Sequence, residues 1–426
     1  MKKNLVIKII IGFILGLVVG VALWLSNANV TGYTKIVSPF GNVLVSMLKM
    51  VVVPVIFLSL ISGAASLPTG KFGKIGLKVI VWYFATSLVA AVVGSLLATI
   101  FNPGSSNIDL WQQLITTETA VQEVTVSTSG ALTEVFLNMF KNPFEALANG
   151  DFLAIIVFAI ALGLALKLNI DNPKTSEKSR EKIQLFLDLT QTVQEGVFTI
   201  VDWVLAYSPI GVFALTSVNF ANYGSALFGP YVSLTVGVIS GILFMVVIVY
   251  PAMIAIFVHK NPFTVLNKIK EAPLTAFVTR SSAATLPVSI TVAEDELNVD
   301  SSLSSFALPL GATINMDGVC VHLPFFAVLA ANMFGVQLGF TGLTILVITT
   351  VLASVGAGGV PGGSLMLLFI ILQNMGLQPD QIAIIVGLAL GINPILDMFE
   401  TMNNVTGDLV CTYAVAETSD MILEKE

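Results

Sequence analysis

The sequence predicts an all-helical protein that crosses a membrane several times. Of its 426 residues, 55% are hydrophobic and only 11% are charged, whereas a soluble domain carries about 25% charged residues. Apolar runs long enough to span a bilayer core of about 30 Å recur along the whole chain. The later runs are interrupted by polar and glycine-rich segments, which simple membrane spans do not need. These observations exclude a soluble domain and indicate a polytopic membrane protein.

The first six predicted spans are mostly continuous apolar stretches. The first 26 residues could be mistaken for a signal peptide, but the apolar run is long and lacks a clear cleavage site, so we predict a membrane helix. Lys and Arg cluster before the first span and after the second, fourth and sixth, while the loops near 28–33, 103–132 and 216–224 contain none. By the positive-inside rule we predict a cytoplasmic amino terminus. With the repeated spans, this predicts a multi-pass protein of the inner (plasma) membrane. The spans lie at about 6–27, 34–66, 72–102, 133–168, 184–215 and 225–258.

The second half of the chain repeats a two-part pattern. Residues 262–293 and residues 338–375 each carry a polar or glycine-rich centre, Arg280-Ser281-Ser282 in the first and SVGAGGVPGG in the second. Each stretch suits two short helices that meet at a tip. Each is followed by a helix with a polar defect, so we expect a hairpin and a broken helix to occur twice. This pattern predicts an inverted-repeat transporter, because non-helical backbone at mid-membrane is tolerated only where it lines a site.

The second polar defect is a stripe within NPILDMFETMNNVTGD, at 393–408. On a helix that turns about 100° per residue, its polar side chains share one face. Charge at membrane depth is costly and persists only where it faces a protein interior or a water-filled path. The stripe therefore predicts a site for a positively charged group. Its members are Asn393, Asp397, Glu400, Thr401, Asn404 and Asp408.

Several other function classes find no support in the sequence. His259 and His322 are the only histidines, and Cys320 and Cys411 lie in apolar segments, which argues against a disulfide framework or a His/Cys metal site. We interpret Cys320 and His322 as packed helix residues. There is no Gly-rich phosphate loop and no nucleophile–base constellation, so we expect neither ATP-driven transport nor an enzyme. A channel is a weaker alternative, and nothing indicates a nucleic-acid partner.

Four segments, in order, resemble the signature segments of one transporter family. They are TRSSAATLP (279–287), LPLGATINMDG (308–318), SVGAGGVPGG (354–363) and DMFETMNNVTGD (397–408). The chain is therefore similar to the dicarboxylate/amino acid:cation symporters, the family of glutamate and neutral amino acid transporters. The resemblance covers nearly the whole chain. It implies eight transmembrane helices, two re-entrant helical hairpins, a homotrimer and elevator-type movement of a transport domain.

The resemblance also divides the chain into a fixed scaffold and a mobile transport domain. Helices 1–2 (residues 1–71) and helices 4–5 (133–224) would form the scaffold. Helix 3 with an external loop (72–132) and residues 225–426 would form the transport domain. The second part of that domain would comprise helix 6, hairpin 1 at about 262–293, broken helix 7 at about 300–335, hairpin 2 at about 338–375 and helix 8 at about 379–418.

The resemblance assigns residues to an amino acid substrate. Asp397 matches the position that binds the substrate ammonium, and Thr401 and Asn404 match positions that contact the amino acid backbone. The two hairpin tips match positions that hold the substrate carboxylate, through Ser282 and through the backbone near Gly359 and Val360. Arg280 is interpreted as a counter-charge.

Sodium ions are the co-substrates that the resemblance implies. One implied site joins Asp408 with Asn315, Asn404 and the carbonyl of Gly311. Another joins Asn315 and Asp317 with a pattern in the third span, Tyr83, Thr86 and Ser87. A further site uses backbone carbonyls around Thr313, Met316 and Ser354.

Departures from the family pattern set the predicted substrate. Acidic-substrate members carry Arg where this chain has Glu400, because a buried carboxylate needs a bidentate, permanently charged partner. Val319 removes a hydroxyl that often follows NMDG, and Asn393 replaces an Asp common in those members. The Glu of the D-x-x-E-T segment resembles the serine/threonine symporter branch of the family, where this carboxylate can accept a hydroxyl hydrogen bond. We therefore predict a symporter of a small neutral amino acid, with serine or threonine favoured. Alanine, cysteine or a cationic amino acid are alternatives, and an acidic amino acid is a weaker one. Glu400 could instead pair with Arg280.

Overall fold

The computed structural model describes residues 2–27, 29–66, 73–105, 137, 139–357, 359 and 362–423. This part of the chain is helical, with an isolated antiparallel bridge between Val299 and Ile422. The helices are α1 (Lys2–Leu25), α2 (Thr31–Ala65), α3 (Gly73–Phe101), α4 (Pro143–Asn149), α5 (Phe152–Asp171), α6 (Glu177–Tyr223), α7 (Phe228–Phe244), α8 (Tyr250–Met253), α9 (Pro262–Ile269), α10 (Glu271–Thr279), α11 (Ser282–Asp295), α12 (Ser301–Ile314), α13 (Asp317–Phe334), α14 (Phe340–Ser354), α15 (Gly363–Asn374) and α16 (Pro379–Glu417).

Seven helical segments of the described chain are long and apolar enough to cross a membrane. One of them, Glu177–Val258, is 82 residues long and runs through both α6 and α7. Large apolar side chains on several of these segments point outward, for example Leu15 on α1 and Ile100 on α3. Outward apolar faces on helices of this length are suited to lipid. The architecture is that of a multi-pass membrane protein, as the composition predicts.

One group of helices is organised around α6. Helices α1 and α2 pack along α6, and α5 packs on α2. Small residues allow the close approach of α1: a Cβ at Gly12 would lie 2.5 Å from Pro209 O, and one at Gly16 would lie 2.7 Å from Phe213 O. Close contact through small residues is how helices associate where the surrounding lipid is as apolar as they are.

A second group surrounds α13. This helix packs against α3, α7, α15 and α16. The candidate span Ser301–Phe334, which contains α12 and α13, is 94% buried over its most apolar window. A helix that is apolar on all sides belongs in the interior of a fold. Helix α13 is therefore the central helix of this group, and the polar residues of neighbouring elements pack beside it.

Two pairs of short helices end in turns that contact each other. Helices α10 and α11 meet at Arg280 and Ser281, and Arg280 has a left-handed φ of 54°. Ser281 caps α11 by accepting a hydrogen bond from Ala284 N at 3.1 Å. The second turn joins α14 to α15, and its residue Gly359 accepts hydrogen bonds through its carbonyl oxygen from Ser281 Oγ at 3.0 Å and from Ala283 N at 3.4 Å. Backbone and side-chain contacts thus hold the two turns together.

Only one of the two expected helix breaks is present. Asn315 and Met316 interrupt the helix between α12 and α13, and both have non-helical backbone angles. By contrast, α16 is continuous from Pro379 to Glu417 and contains Pro394. The prediction of a second broken helix was wrong. Several polar side chains of α16 contact neighbouring elements or the preceding turn of their own helix, among them Asp408 with Asn315 and Thr401 with Asp397 O, while the helical backbone stays intact.

Candidate functional site

The polar stripe of α16 faces the interior, and four of its residues line a narrow cavity. All six stripe residues are at most 5% exposed. The free volume between the lining groups is about 10 Å³, which is room for about one water molecule. The space is too small for an amino acid, so lining groups must move for one to bind. The cavity lining comprises Asp397, Glu400, Thr401 and Asn404 of α16 together with Arg280, Ser282, Met316, Val319, Ala357, Gly359, Gly363 and Ser364.

Asp397 joins both turns to α16. Arg280 Nη1 of the first turn lies 3.6 Å from Asp397 Oδ2. The backbone N–H of Gly362, in the second turn, donates to the same oxygen at 3.3 Å. Asp397 is 4% exposed, so a buried carboxylate with a cationic partner stands between the two turns.

Glu400 has a different basic neighbour. Its Oε1 is in contact with His322 Nδ1 of α13, and both side chains are 2% exposed. Among the ion pairs of the described residues, Arg280 contacts Asp397, and the Glu400–Arg280 pair that the sequence left open is not found. Sequence reasoning treated His322 as a packed helix residue and missed this contact. The available signal was its spacing of three residues from Val319, which places both on one face of α13.

The first turn presents an unpartnered hydroxyl to the cavity. Ser282 Oγ is buried and has no hydrogen-bond partner in the described part of the chain. In the second turn, Gly359 has a φ of 62°, and a Cβ there would lie 2.2 Å from Ala312 O. Only glycine fits this backbone conformation and this close approach. Thr401 Oγ1 donates to Asp397 O at 2.8 Å. Val360, which the resemblance placed beside Gly359, lies outside the described residues.

A second polar cluster lies where α3, the break between α12 and α13, and α16 meet. Asn315 Nδ2 donates to Asp408 Oδ1 at 2.9 Å, and Ser87 Oγ donates to Asp317 Oδ1 at 2.8 Å. Thr86 Oγ1 donates to Asn315 Oδ1 at 3.3 Å. The structure thus brings together residues from three distant parts of the sequence that the resemblance assigned to sodium.

Tyr83 and Gly311 complete this cluster. The Tyr83 hydroxyl donates to Ala307 O at 2.8 Å. A Cβ at Gly311 would lie 2.6 Å from Asp408 Oδ1 and 2.7 Å from Tyr83 Oη. The bare backbone at Gly311 is therefore needed for the side chains of α3 and α16 to reach α12.

Asn404 lies between the cavity and the helix break that separates α12 from α13. It lines the cavity, accepts a hydrogen bond from Gly318 N at 2.7 Å and donates to Met316 Sδ at 3.3 Å. The hydroxyls of Thr313 and Ser354 donate to Leu310 O and Val351 O of their own helices. Any contribution from those two residues to a cation site would come from their backbone carbonyls, as the resemblance implies.

Tyr250 is a cluster residue that sequence reasoning missed. Its hydroxyl donates to Asp317 Oδ2 at 2.8 Å and lies 3.3 Å from Asn403 O. It begins α8, a single turn set between the π-helical segments Met245–Val249 and Ile254–Val258. Such π-bulges often occur at functional sites. The Tyr-Pro dipeptide at 250–251, inside an otherwise apolar span, was the available signal.

The chemistry of the cluster suits a hard monovalent cation. The described residues contain no group of three or more His, Cys, Asp and Glu side chains placed to hold a metal ion. The cluster offers instead carboxylate, amide, hydroxyl and backbone carbonyl oxygens, and exposed carbonyls at interrupted helices are the ligands that transporters use for Na⁺.

A helical multi-pass architecture with buried acids beside an interrupted helix defines a membrane transport protein. The chain belongs to the sodium:dicarboxylate symporter family, whose model matches residues 5–418. The resemblance in the sequence motifs is thereby confirmed, and the family is one of transporters rather than enzymes.

Curated relatives carry different substrates in their names. The chain is 30% identical to the serine/threonine transporter SstT of Acinetobacter baumannii (strain AYE), over 97% of this chain and 96% of the relative. It is 30% identical to the proton/sodium-glutamate symport protein of Bacillus caldotenax, over 96% and 92%. It is also 30% identical to excitatory amino acid transporter 3 of Mus musculus, over 99% and 86%. Overall identity therefore does not indicate which substrate this chain carries. The residues that line the cavity are the better guide to the substrate.

Proposed function

We propose that the protein is a sodium-coupled symporter of a small neutral amino acid, with serine and threonine favoured. One observation carries this proposal: the wall of the cavity at Glu400 is a carboxylate backed by His322. A substrate with an acidic side chain would meet this carboxylate in a buried setting, where like charges repel strongly. A hydroxyl could instead donate a hydrogen bond to it. The serine/threonine transporter among the relatives is consistent with this choice.

The remaining cavity groups suit the common part of an amino acid. Asp397 would bind the ammonium group, which would compete with Arg280 for the same oxygen. Ser282 Oγ, which has no hydrogen-bond partner among the described residues, would donate to the substrate carboxylate. Gly359 and the adjoining Val360 would present backbone to that carboxylate, while Thr401 and Asn404 would contact the amino acid backbone.

Sodium would be a second substrate, bound by the polar cluster. Asp317 and Asp408 are buried, and buried carboxylates are costly unless a cation compensates their charge. The proposed ligands are the residues that the resemblance assigns to sodium. Two of them, Asn315 and Asn404, contact Asp408 and Gly318 N respectively. Asn404 also lines the cavity. A cation bound by Asp408 and Asn404 would therefore hold the Asn404 side chain in place where the substrate binds. This shared residue offers a physical route for coupling.

We further propose the elevator arrangement that the resemblance implies. Residues 1–71 and 133–224 would form a scaffold, and residues 72–132 and 225–426 would form a transport domain with two re-entrant hairpins, giving eight transmembrane helices in all. The close packing of α1, α2 and α5 with one another and α6, and of α3, α7, α15 and α16 around α13, supports this division. The homotrimer and the cytoplasmic amino terminus belong to the same proposal.

Alanine and cysteine are the nearest alternative substrates, because they fit the same ammonium and carboxylate contacts without needing a hydroxyl acceptor. A cationic amino acid is less favoured, since Asp397 and Glu400 already have the basic neighbours Arg280 and His322. An acidic substrate would require an unengaged cationic group, and Arg280, the guanidinium in the cavity lining, contacts Asp397. An ion channel is disfavoured by the closed cavity.

Uptake into proteoliposomes tests the proposal. An inward sodium gradient should drive accumulation of labelled serine, unlabelled threonine should compete, and aspartate should not. A potassium gradient of equal size is the control for membrane potential and osmotic effects. Serine uptake that is the same with sodium and with potassium would refute coupling, and competition by aspartate would refute the assigned substrate class.

A further inference from the structure

Glu400 and His322 are in contact at the wall of the cavity. His322 lies on α13, one turn beyond Val319, which lines the cavity. Glu400 lines the same cavity, whereas His322 lies behind it. The imidazole thus touches the carboxylate from the side away from the substrate space.

The local packing fixes this pair. A Cβ at Gly318 would lie 2.4 Å from Glu400 O and 2.6 Å from Glu400 Cα, so the start of α13 rests directly on α16 at this residue. Gly318 N also donates to Asn404 Oδ1 at 2.7 Å, which sets the register of the two helices. One helical turn further along α13, this register brings His322 to the Glu400 side chain. The His322 ring is held on another side by Phe326, with ring centroids 4.8 Å apart.

Neither Glu400 Oε1 nor His322 Nδ1 has another hydrogen-bond partner in the described part of the chain, so the imidazole is the group placed to compensate this carboxylate. Asp397 and Arg280 engage one another, and Glu400 has no other basic partner within ion-pair distance in the described residues. A buried carboxylate without a donor is strongly disfavoured. An imidazole N–H can satisfy one of its oxygens, and the remaining acceptor capacity can serve a ligand.

We propose that His322 is a positioning residue for substrate selection: it holds Glu400 against the cavity wall, so that the carboxylate accepts a hydrogen bond from a hydroxyl-bearing substrate side chain. This inference rests on the proposed amino acid symport. It makes discrimination between serine and alanine depend on a residue that does not touch either substrate.

Two substitutions separate positioning from packing. His322→Phe keeps an aromatic ring but removes the donor, whereas His322→Asn retains an N–H group close to the position of Nδ1. In proteoliposomes, His322→Phe should raise the KM for serine about tenfold, as expected for loss of a hydrogen bond to a charged group. The KM for alanine should change much less. His322→Asn should keep most of the serine preference.

The Glu400→Gln background completes the cycle. There, adding His322→Phe should change the serine-to-alanine KM ratio little further, because the residue acts through the carboxylate. An equal rise in both KM values, or the same change in the ratio in both backgrounds, would overturn the positioning role. Alanine uptake by each variant verifies that the protein is folded.

A spectroscopic readout tests the pair without transport. The chain has two histidines, and His259→Asn removes the exposed one at a left-handed position that Asn tolerates. The ¹⁵N resonances of His322 in ¹⁵N-histidine-labelled protein should then shift on Glu400→Gln. Unchanged resonances would show that the pair is absent and would overturn the inference, even if serine is transported. A clear shift in a protein that does not take up serine would instead refute only the proposed substrate.

Discussion

At the scale of single residues, selectivity depends on which partner each buried acid has. Asp397 contacts Arg280, whereas Glu400 contacts His322. Two carboxylates one helical turn apart are thus held in different surroundings. Asp397 faces both turns and suits an ammonium group, while Glu400 is fixed from behind and suits a hydroxyl donor.

Reversing the charge at Glu400 should change the substrate. In Glu400→Arg, uptake of serine should fall at least about tenfold, since a charge-assisted hydrogen bond is lost, and aspartate should begin to be transported. Uptake of both labelled amino acids is the measurement. The near-isosteric Glu400→Gln is the control, because it keeps an acceptor without adding positive charge. Unchanged selectivity in Glu400→Arg would show that Glu400 does not face the substrate.

Tyr250 should affect the response to sodium. Tyr250→Phe removes a donor to Asp317, a loss of about 1.5–3 kcal/mol for a hydrogen bond to a charged group. The loss should be greatest when no cation compensates the carboxylate, so sodium should raise the melting temperature of Tyr250→Phe more than that of the wild type. Tyr231→Phe is the matched control, because buried Tyr231 donates to the neutral Leu388 O at 3.1 Å. Equal sodium-induced shifts in the two variants would contradict a cation site at Asp317.

At the scale of elements, the two turns beside the cavity contact each other through the carbonyl oxygen of one glycine. Gly359 O accepts from Ser281 Oγ and from Ala283 N. Because the free volume is only about 10 Å³, we expect this contact to break when an amino acid enters. The turns are therefore the elements whose separation we expect to accompany binding and release.

Two glycines of the second turn form a matched pair for testing how closely this turn must pack against its neighbours. Both have positive φ, 62° at Gly359 and 78° at Gly362, but a Cβ at Gly359 would lie 2.2 Å from Ala312 O whereas one at Gly362 would lie 3.6 Å from Leu205 Cδ2. Backbone strain is common to both substitutions and costs about 1–3 kcal/mol. Gly359→Ala should therefore reduce uptake at saturating serine well beyond Gly362→Ala. Equal losses would show that transport does not depend on the close packing of Gly359 against α12.

The sequence predicted elements better than contacts. The stripe of α16 was predictable, because helical periodicity alone places its residues on one face. The break at Asn315 was predictable from a polar motif inside an apolar span. The second break was not, because whether a polar helix unwinds depends on partners that other elements supply. The contact of His322 with Glu400 arises from the close approach at Gly318, and such long-range register is not contained in local pattern.

At the scale of the whole molecule, the helices fall into two packed groups, one around α6 and one around α13. Outer helices of both groups, such as α1 and α3, carry outward apolar side chains, whereas the segment containing α13 is almost wholly buried. The polar cluster and the cavity both lie beside α13 and α16. A substrate site surrounded by its own helices can be carried as a unit, which is the physical basis for the proposed elevator movement.

The central claim is that one cavity binds a neutral hydroxyl amino acid together with sodium. A thermal-shift measurement on the purified protein tests it most directly, since a ligand that binds the folded state raises its stability. Serine should raise the melting temperature in sodium but much less in potassium, and aspartate should have little effect in either salt. A stabilisation by aspartate as large as that by serine, or an equal serine effect in both salts, would contradict the account.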